Sequence, residues 1–455
     1  MATALAGTRF LALLTLLAPF AGLPAQGKVD WAGLGNGYLK EIGETEPPTL
    51  SDLLDRHYVR LLLGDFDVRV PKAQIAKPKG AAPIAAVAEA LVGLQERLDE
   101  LTTADAKVLA SKREETTALR RYVTAWRSKP ATTPAPSGSS RDNPCVLILA
   151  PDRKTFVGLV GWLGLWKKQY QDYWWNDGTA QFADLHVEDE GEVQIVALEY
   201  AAPAQNGNVM LGFDMNTREK TGLQQHVLQR AGMSWCWRSF GPDSDLSFTL
   251  GLATALVVDV LGQNNARSGG SNKGSTTEGR NAFIPGAPGR GGAMEMVNAD
   301  SAWRLSQGQD WFTRPLRQAQ TAGEHAAKDS KDRLGHFLMR DAKDESKRQV
   351  VDGPFLGATA MARDEVPAQF LDDYLEFHRA YRAGFVHWLQ DHGDKTKAAS
   401  LARFRELMSL FLDKKPGATL DAMCEATYGL PLSAKDAATD TLERRFLAWL
   451  ATNSR

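Results

Sequence analysis

Cysteine is scarce in this sequence. The 455 residues include three, Cys145, Cys236 and Cys424, and no two of them form a CxxC pair. Small secreted folds that depend on disulfides need a denser, even-numbered set, and zinc knuckles need closely spaced pairs. Both classes are therefore excluded. Two alternatives stay open: one disulfide with one free thiol, or three buried cysteines that act as small apolar side chains.

An excess of positive charge is also missing. Lysine and arginine together number 53 and aspartate and glutamate 55, so the formal net charge is −2. A nucleic-acid-binding protein needs a basic surface to replace the counterions on phosphates. We therefore expect no nucleic-acid partner.

Long hydrophobic runs are absent after the N-terminus. The apolar run at residues 10–20 follows Arg9, is eleven residues long and precedes small residues that end at Ala25. A membrane span needs about 20 apolar residues, so this pattern predicts a signal peptide, residues 1–25, cleaved after Ala25, with a retained anchor as the alternative. A later apolar stretch, residues 246–261, is interrupted by Asp259 and two threonines. We expect an exported protein, periplasmic or extracellular, with no membrane span after cleavage.

Residues 27–128 have the spacing of helices. Thr49 or Ser51 can cap a helix that includes residues 53–63, and His57 in that helix is expected to be packed or solvated. Apolar residues at three- and four-residue steps predict a helical hairpin over residues 81–127, with its break near Thr102. The sequence therefore predicts a helical N-terminal region without strands.

A change of composition marks the next boundary. Residues 129–143 are rich in proline, serine and threonine, which predicts a linker. After it, residues 145–150 and 192–200 are strand candidates, and residues 209–213 are a predicted antiparallel hairpin partner for the second strand. The segment after the first strand has helical spacing with glycine at every third position. Glycine there either lets a neighbouring helix approach closely or weakens the helix. We expect an α+β, mostly helical fold, with a small sheet packed on helices in a domain over residues 144–455.

Two segments of this domain are candidates for binding. Tyr173, Trp174 and Trp175 form the densest aromatic cluster and could bind a glycan or a protein, although such side chains are also common in cores. Residues 263–292 are rich in glycine and serine, which predicts a mobile loop. This loop lacks the order of a phosphate-binding P-loop, which requires GxxxxGK[ST] after a strand.

A pair of helices holds the most informative residues. Residues 223–240 include the pentad His226-Val227-Leu228-Gln229-Arg230, and after a turn the next helix contains FTLGLA at residues 248–253. The order of strand, helix, strand pair, helix, turn, helix and helical tail resembles the gluzincin-like metallopeptidases of the peptidase-MA type. Their first helix has the motif HExxH and their second a glutamate within WxxEGLA. The tail, with FVHWLQDHG at residues 385–393, ATYG and LERRFLAWL, resembles their C-terminal helices.

The chemistry of that family needs residues that this chain lacks. Two histidines at i and i+4 and a carboxylate bind zinc, while the glutamate between the histidines acts as general base. His226 matches the first ligand, but Val227, Arg230 and Leu250 stand at the positions of the base, the second ligand and the third ligand. The resemblance therefore implies a non-catalytic protein with a relic ligand position at His226, no catalytic residue, no metal and no cofactor. It also implies that the helix around His226 packs against the helix around Leu252.

Alternative functions stay open at the level of sequence. A secreted metal-dependent hydrolase or peptidase could use an atypical site, for example Asp372 or Glu376 beside His378. His378, His387 and His392 are nine and five residues apart, which is not the i, i+4 spacing that brings imidazoles together. A binding or structural role needs no such site.

Overall fold

The computed structural model describes residues 30–130, 132–136, 140–150, 153–168, 182–187, 191–197, 222–241, 245–262, 382–413, 419–432 and 438–453. The predicted signal peptide, the aromatic cluster at Tyr173, Trp174 and Trp175 and the glycine-rich loop lie outside these residues. By contact density the chain divides into two compact units. Unit 1 comprises residues 1–95, 113–234 and 274–296, and unit 2 comprises residues 96–112, 235–273 and 297–455.

The elements are mostly helices around a small sheet. In order they are α1 (Trp31–Ile42), α2 (Leu50–His57), β1 (Tyr58–Pro71), α3 (Lys72–Ile75), α4 (Ala81–Thr102), α5 (Ala106–Ser128), β2 (Ser140–Ala150), α6 (Arg153–Trp166), β3 (Phe182–Val187), β4 (Gly191–Ala197), α7 (Gly222–Phe240), α8 (Leu246–Leu261), α9 (residues 382–391), α10 (Lys397–Leu412), α11 (Leu420–Tyr428) and α12 (Leu442–Asn453). The α+β, mostly helical class is confirmed. α4 ends at Thr102 and α5 begins at Ala106, which agrees with the break predicted near Thr102.

The sheet of unit 1 has four described strands in the order β1-β2-β4-β3. β1, β2 and β4 are parallel, and β3 pairs antiparallel with β4 at one edge. The parallel strand β2 is a continuous apolar run that is buried from Cys145 to Ala150, as expected for a strand covered on both faces. The predicted hairpin partner of β4, residues 209–213, lies outside the described residues.

The prediction that the N-terminal region is all helical is wrong. The helix that begins at Leu50 ends at His57, and β1 follows directly. Phe66, Val68 and Val70 alternate along β1 and are fully buried, so a strand period of two was present in a segment whose leucines also fit a helix. Pairing with β2 makes this segment a strand rather than a helix, because it places part of the N-terminal region inside the sheet.

The predicted linker is also too long at its C-terminal end. β2 begins at Ser140, so residues 140–143 are strand rather than linker. Unit 1 includes residues from both sides of the linker, namely 1–95 and 113–234. The compact units of the structure therefore do not follow the boundary expected at residues 129–143.

Glycines allow α1 and α6 to cross closely in unit 1. A Cβ on Gly161 would lie 2.4 Å from the backbone nitrogen of Gly35, and a Cβ on Gly158 would lie 2.7 Å from the Cβ of Tyr38. Of the two alternatives for the regular glycines in this helix, close approach is the one observed. Trp162 on α6 is fully buried and donates its indole N–H to the carbonyl of Pro48 at 3.1 Å.

Unit 2 has an aromatic core. Phe248 of α8 stacks on Phe411 of α10 with ring centroids 4.4 Å apart, and Phe240 lies 4.8 Å from Phe411. Phe385 of α9 meets Phe446 of α12 edge to face at 5.5 Å. These contacts hold α8 to α10 and α9 to α12.

Two further observations concern the whole described part of the chain. Cys145, Cys236 and Cys424 are buried and form no disulfide in the described residues, which agrees with the apolar alternative. Burial raises the pKa of the Cys424 thiol far above its ordinary value. None of the described helices combines the length and the apolar character that a membrane span requires.

Candidate functional site

α7 contains the pentad that begins at His226. The backbone of His226 is helical, and its side chain lies outside the described part of the structure. Val227 is fully buried, and Arg230 is 2% exposed. The two residues that the resemblance aligned with the general base and the second ligand therefore lie in the core of unit 1.

The burial of Arg230 has an electrostatic consequence. A guanidinium cannot lose its proton in a protein, so this side chain brings a permanent positive charge into the interior. Its Nη1 lies 3.9 Å from the sulfur of Met233, which is one turn further along α7. Gln229 and Ser234 beside it are also fully buried, so this stretch of α7 contains polar side chains that do not face solvent.

α8 contains the GLA sequence that resembles the second family helix. Asp245 caps the helix by accepting a hydrogen bond from the backbone N–H of Phe248 at 2.7 Å. Gly251 has a packing role, because a Cβ there would lie 2.8 Å from the carbonyl oxygen of Arg382 on α9. Leu252 and Ala253 are fully buried, whereas Leu250 is half-buried.

The predicted packing of α7 against α8 near His226 stays a prediction, because His226 belongs to unit 1 and Leu250 to unit 2. The alternative residues Asp372, Glu376 and His378 lie outside the described ranges. Nowhere in the described part of the chain do three or more His, Cys, Asp or Glu side chains come together in a way that could hold a metal ion.

A polar cluster in unit 2 was not predicted from the sequence. Arg97 of α4 is its centre: its Nε donates to Asp259 Oδ2 at 2.8 Å, its Nη2 donates to Gln390 Oε1 at 2.6 Å, and its Nη1 donates to Glu100. Asp259 lies on α8 and Gln390 on α9, so one guanidinium connects three helices. The clustered side chains are largely buried, and Gln390 is fully so.

His387 lies in the same cluster. Its Nδ1 is 3.8 Å from Asp259 Oδ1 and its Nε2 is 3.9 Å from Asp391 Oδ2, with a quarter of the side chain exposed. Burial lowers the pKa of His387, and the two carboxylates oppose that shift. Burial also acts to lower the pKa of Arg97, but the carboxylates of Asp259 and Glu100 outweigh it and raise that pKa. His387 is therefore a largely buried imidazole that favours its neutral form and lies close to two carboxylates.

Two weak signals in the sequence pointed toward this cluster. Asp259 interrupts an otherwise apolar helix, and a buried carboxylate needs a partner. His387 and Asp391 have the i, i+4 spacing that places side chains on one helix face. Arg97, by contrast, belongs to a run of charges that resembles a solvated helix face, and nothing local indicates that it is buried.

Comparison with known proteins gives no relative for this chain. No family model, no curated protein and no solved structure matches it.

Proposed function

We propose that this protein is an exported, non-catalytic protein whose helix pair is similar to that of the gluzincin-like metallopeptidases, with a binding or structural role in place of catalysis. The succession of β2, α6, β4, α7 and α8 along the chain supports the proposal, because these elements follow the order on which the resemblance rests. The strand pair in that order was predicted from residues 192–200 and 209–213, whereas the described antiparallel partner of β4 is β3. The domain is called zincin-like only because its elements follow this order.

The burial of Arg230 is the observation on which this proposal depends most. The family motif places a zinc ligand at this position, and a permanent cation there repels a dication in a medium that screens charge weakly. Val227 has no group that can accept a proton, and Leu250 has no atom that can bind a metal. Zinc binding and general-base catalysis are therefore lost together.

A restoration experiment tests the similarity of the helix pair. The triple variant Val227→Glu, Arg230→His and Leu250→Glu restores the residues of the family motif, and the matched control replaces the same three residues by glutamine. If the helices pair as proposed, the first variant binds about one zinc per chain and the control binds none. Zinc binding by neither variant, with both folded by circular dichroism, contradicts the proposed pairing.

Export has its own test. The motivating pattern is Arg9, the eleven-residue apolar run and the small residues up to Ala25. N-terminal sequencing of protein recovered from outside the cytoplasm should begin at Gln26 or Gly27. An intact Met1 in a soluble cytoplasmic fraction would contradict export.

The polar cluster of unit 2 favours a second candidate function, a hydrolase with an atypical site. His387 between Asp259 and Asp391 is a general acid–base arrangement, and a broad peptidase and esterase screen examines it directly. Activity in the wild type that His387→Gln abolishes would establish this candidate. Activity that is absent, or that survives His387→Gln, would reject it.

A further inference from the structure

A cavity lies in unit 1. Three segments line it. They are the start of β1, the region of α3 and the turn after α5, with the lining residues Val59, Lys72, Ile75, Ala76, Lys129, Pro130 and Thr132. Its volume is about 590 Å³. Cavities that bind small molecules usually measure 300 to 1,000 Å³ and are mostly apolar with a few polar groups.

The walls of this cavity are apolar, and its charged groups are cations. Val59, Ile75, Ala76 and Pro130 provide the apolar surface, and Lys72 and Lys129 are the charged lining residues. Lys72 Nζ donates to the carbonyls of Asp55 and Arg56 at 3.3 and 2.8 Å, which leaves one of its three N–H groups available. In the described ranges, the Lys129 ammonium forms no hydrogen bond or ion pair.

The chain segments that line the cavity are also rich in positive charge. Residues 72–88 contain three cations, Lys72, Lys77 and Lys79, and no acidic residue, whereas the nearby Arg69 is paired with Asp67 at 2.8 Å. Residues 116–140 contain four cations and no acidic residue. Because the whole chain has a net charge of −2, these two segments are a basic exception, and they supply both sides of the cavity.

We propose that this cavity binds a small amphiphilic carboxylate, with its alkyl part against Val59, Ile75 and Pro130 and its carboxylate on the Lys129 ammonium. Burial of the alkyl chain against apolar walls provides affinity, and the charge-assisted hydrogen bond from Lys129 selects an anion over a neutral molecule of the same shape. The remaining N–H of Lys72 can add a second donor to the same carboxylate. This proposal is independent of the proposed function, because it uses no residue of α7, α8 or the polar cluster.

Calorimetric titration of the full mature protein with octanoate tests the proposal, with 1-octanol as the neutral probe of equal chain length. Octanoate should bind, and 1-octanol should bind at least about tenfold more weakly, because it lacks the charge-assisted bond. Lys129→Gln should weaken octanoate binding about tenfold, and Lys129→Arg should retain it. Ile75→Ser should weaken both probes.

Lys107→Gln is the matched control, because Lys107 is an exposed lysine on α5 that does not line the cavity. Its octanoate affinity should equal that of the wild type. The proposal is overturned if octanoate does not bind, if 1-octanol binds as tightly, or if Lys129→Gln and Lys107→Gln change the affinity equally.

Discussion

Gly35 and Gly161 face each other where α1 and α6 cross, with no room for a Cβ on either residue. A Cβ on Gly35 would lie 2.5 Å from the carbonyl carbon of Gly161, and the reverse substitution is as close. Real Cβ atoms do not approach backbone atoms so closely. The two helices therefore depend on glycine at this crossing.

We predict that Gly161→Ala destabilises the protein by about 1–3 kcal/mol, because the methyl group overpacks a crossing of two backbones. Gly37→Ala is the matched control: Gly37 lies on α1, and a methyl group added there would have no neighbouring atom within 4 Å. At that position the gain in helix propensity should leave stability unchanged or raise it by up to about 1 kcal/mol. Urea unfolding at constant m-value measures the change in unfolding free energy for each variant. Equal changes for Gly161→Ala and Gly37→Ala would contradict a requirement for glycine at the crossing.

The glycine crossing illustrates which parts of the fold could be predicted from the sequence. Glycine at every third position of an apolar helix left close packing and a weakened helix as alternatives, and the structure shows close packing. The hairpin of α4 and α5 followed from apolar periodicity. β1 was missed because its leucines fit a helix until pairing with β2 is known. Local pattern cannot supply that long-range pairing.

In the candidate sites, too, local motifs could be predicted from the sequence and long-range contacts could not. The pentad at His226 and the substitutions Val227, Arg230 and Leu250 could be assigned by position, since a motif is local in sequence. The cluster around Arg97 joins residues that are 162 and 293 positions away from it. No spacing rule relates such residues, so only the packing of three helices reveals them.

Arg97 provides a second prediction. Arg97→Met should destabilise unit 2 by about 3 kcal/mol, because Asp259 would remain buried without its principal donor. Arg445→Met is the control, because the Arg445–Asp440 pair is half exposed on both sides, and an exposed pair contributes less than about 1 kcal/mol.

The double variant Arg97→Met with Asp259→Leu tests the cause of that loss. Removing both charges should recover much of the stability that the single substitution loses, since no buried charge is left unpaired. If the double variant is as unstable as the sum of the two single variants, the loss does not arise from the ion pair.

His387 provides a prediction about pH. Burial lowers its pKa below the ordinary value of 6.5, against the opposing carboxylates of Asp259 and Asp391, so the folded state favours the neutral imidazole. The unfolded chain then binds more protons, so this contribution to stability is complete above about pH 6.5 and is lost as the pH falls through the folded pKa.

Urea midpoints measured between pH 7 and pH 5 check this sign. His387→Gln should reduce the loss of stability over that interval. His392→Gln is the control: burial also lowers the pKa of His392, so this variant should retain the part of the pH dependence that His387 contributes. A wild type whose stability rises on acidification in this interval, with His387→Gln abolishing the rise, would show that the pKa of His387 is raised rather than lowered.

The zinc content of the mature wild-type protein tests the central claim most directly. The protein is purified after export, incubated with excess zinc, passed through a desalting column and analysed for metal per chain. With Val227, buried Arg230 and Leu250 at the motif positions, we predict no stoichiometric zinc, and His226→Ala should leave the measured content unchanged. One equivalent of zinc that His226→Ala removes would contradict the account and would favour a metal-dependent hydrolase with an atypical ligand set.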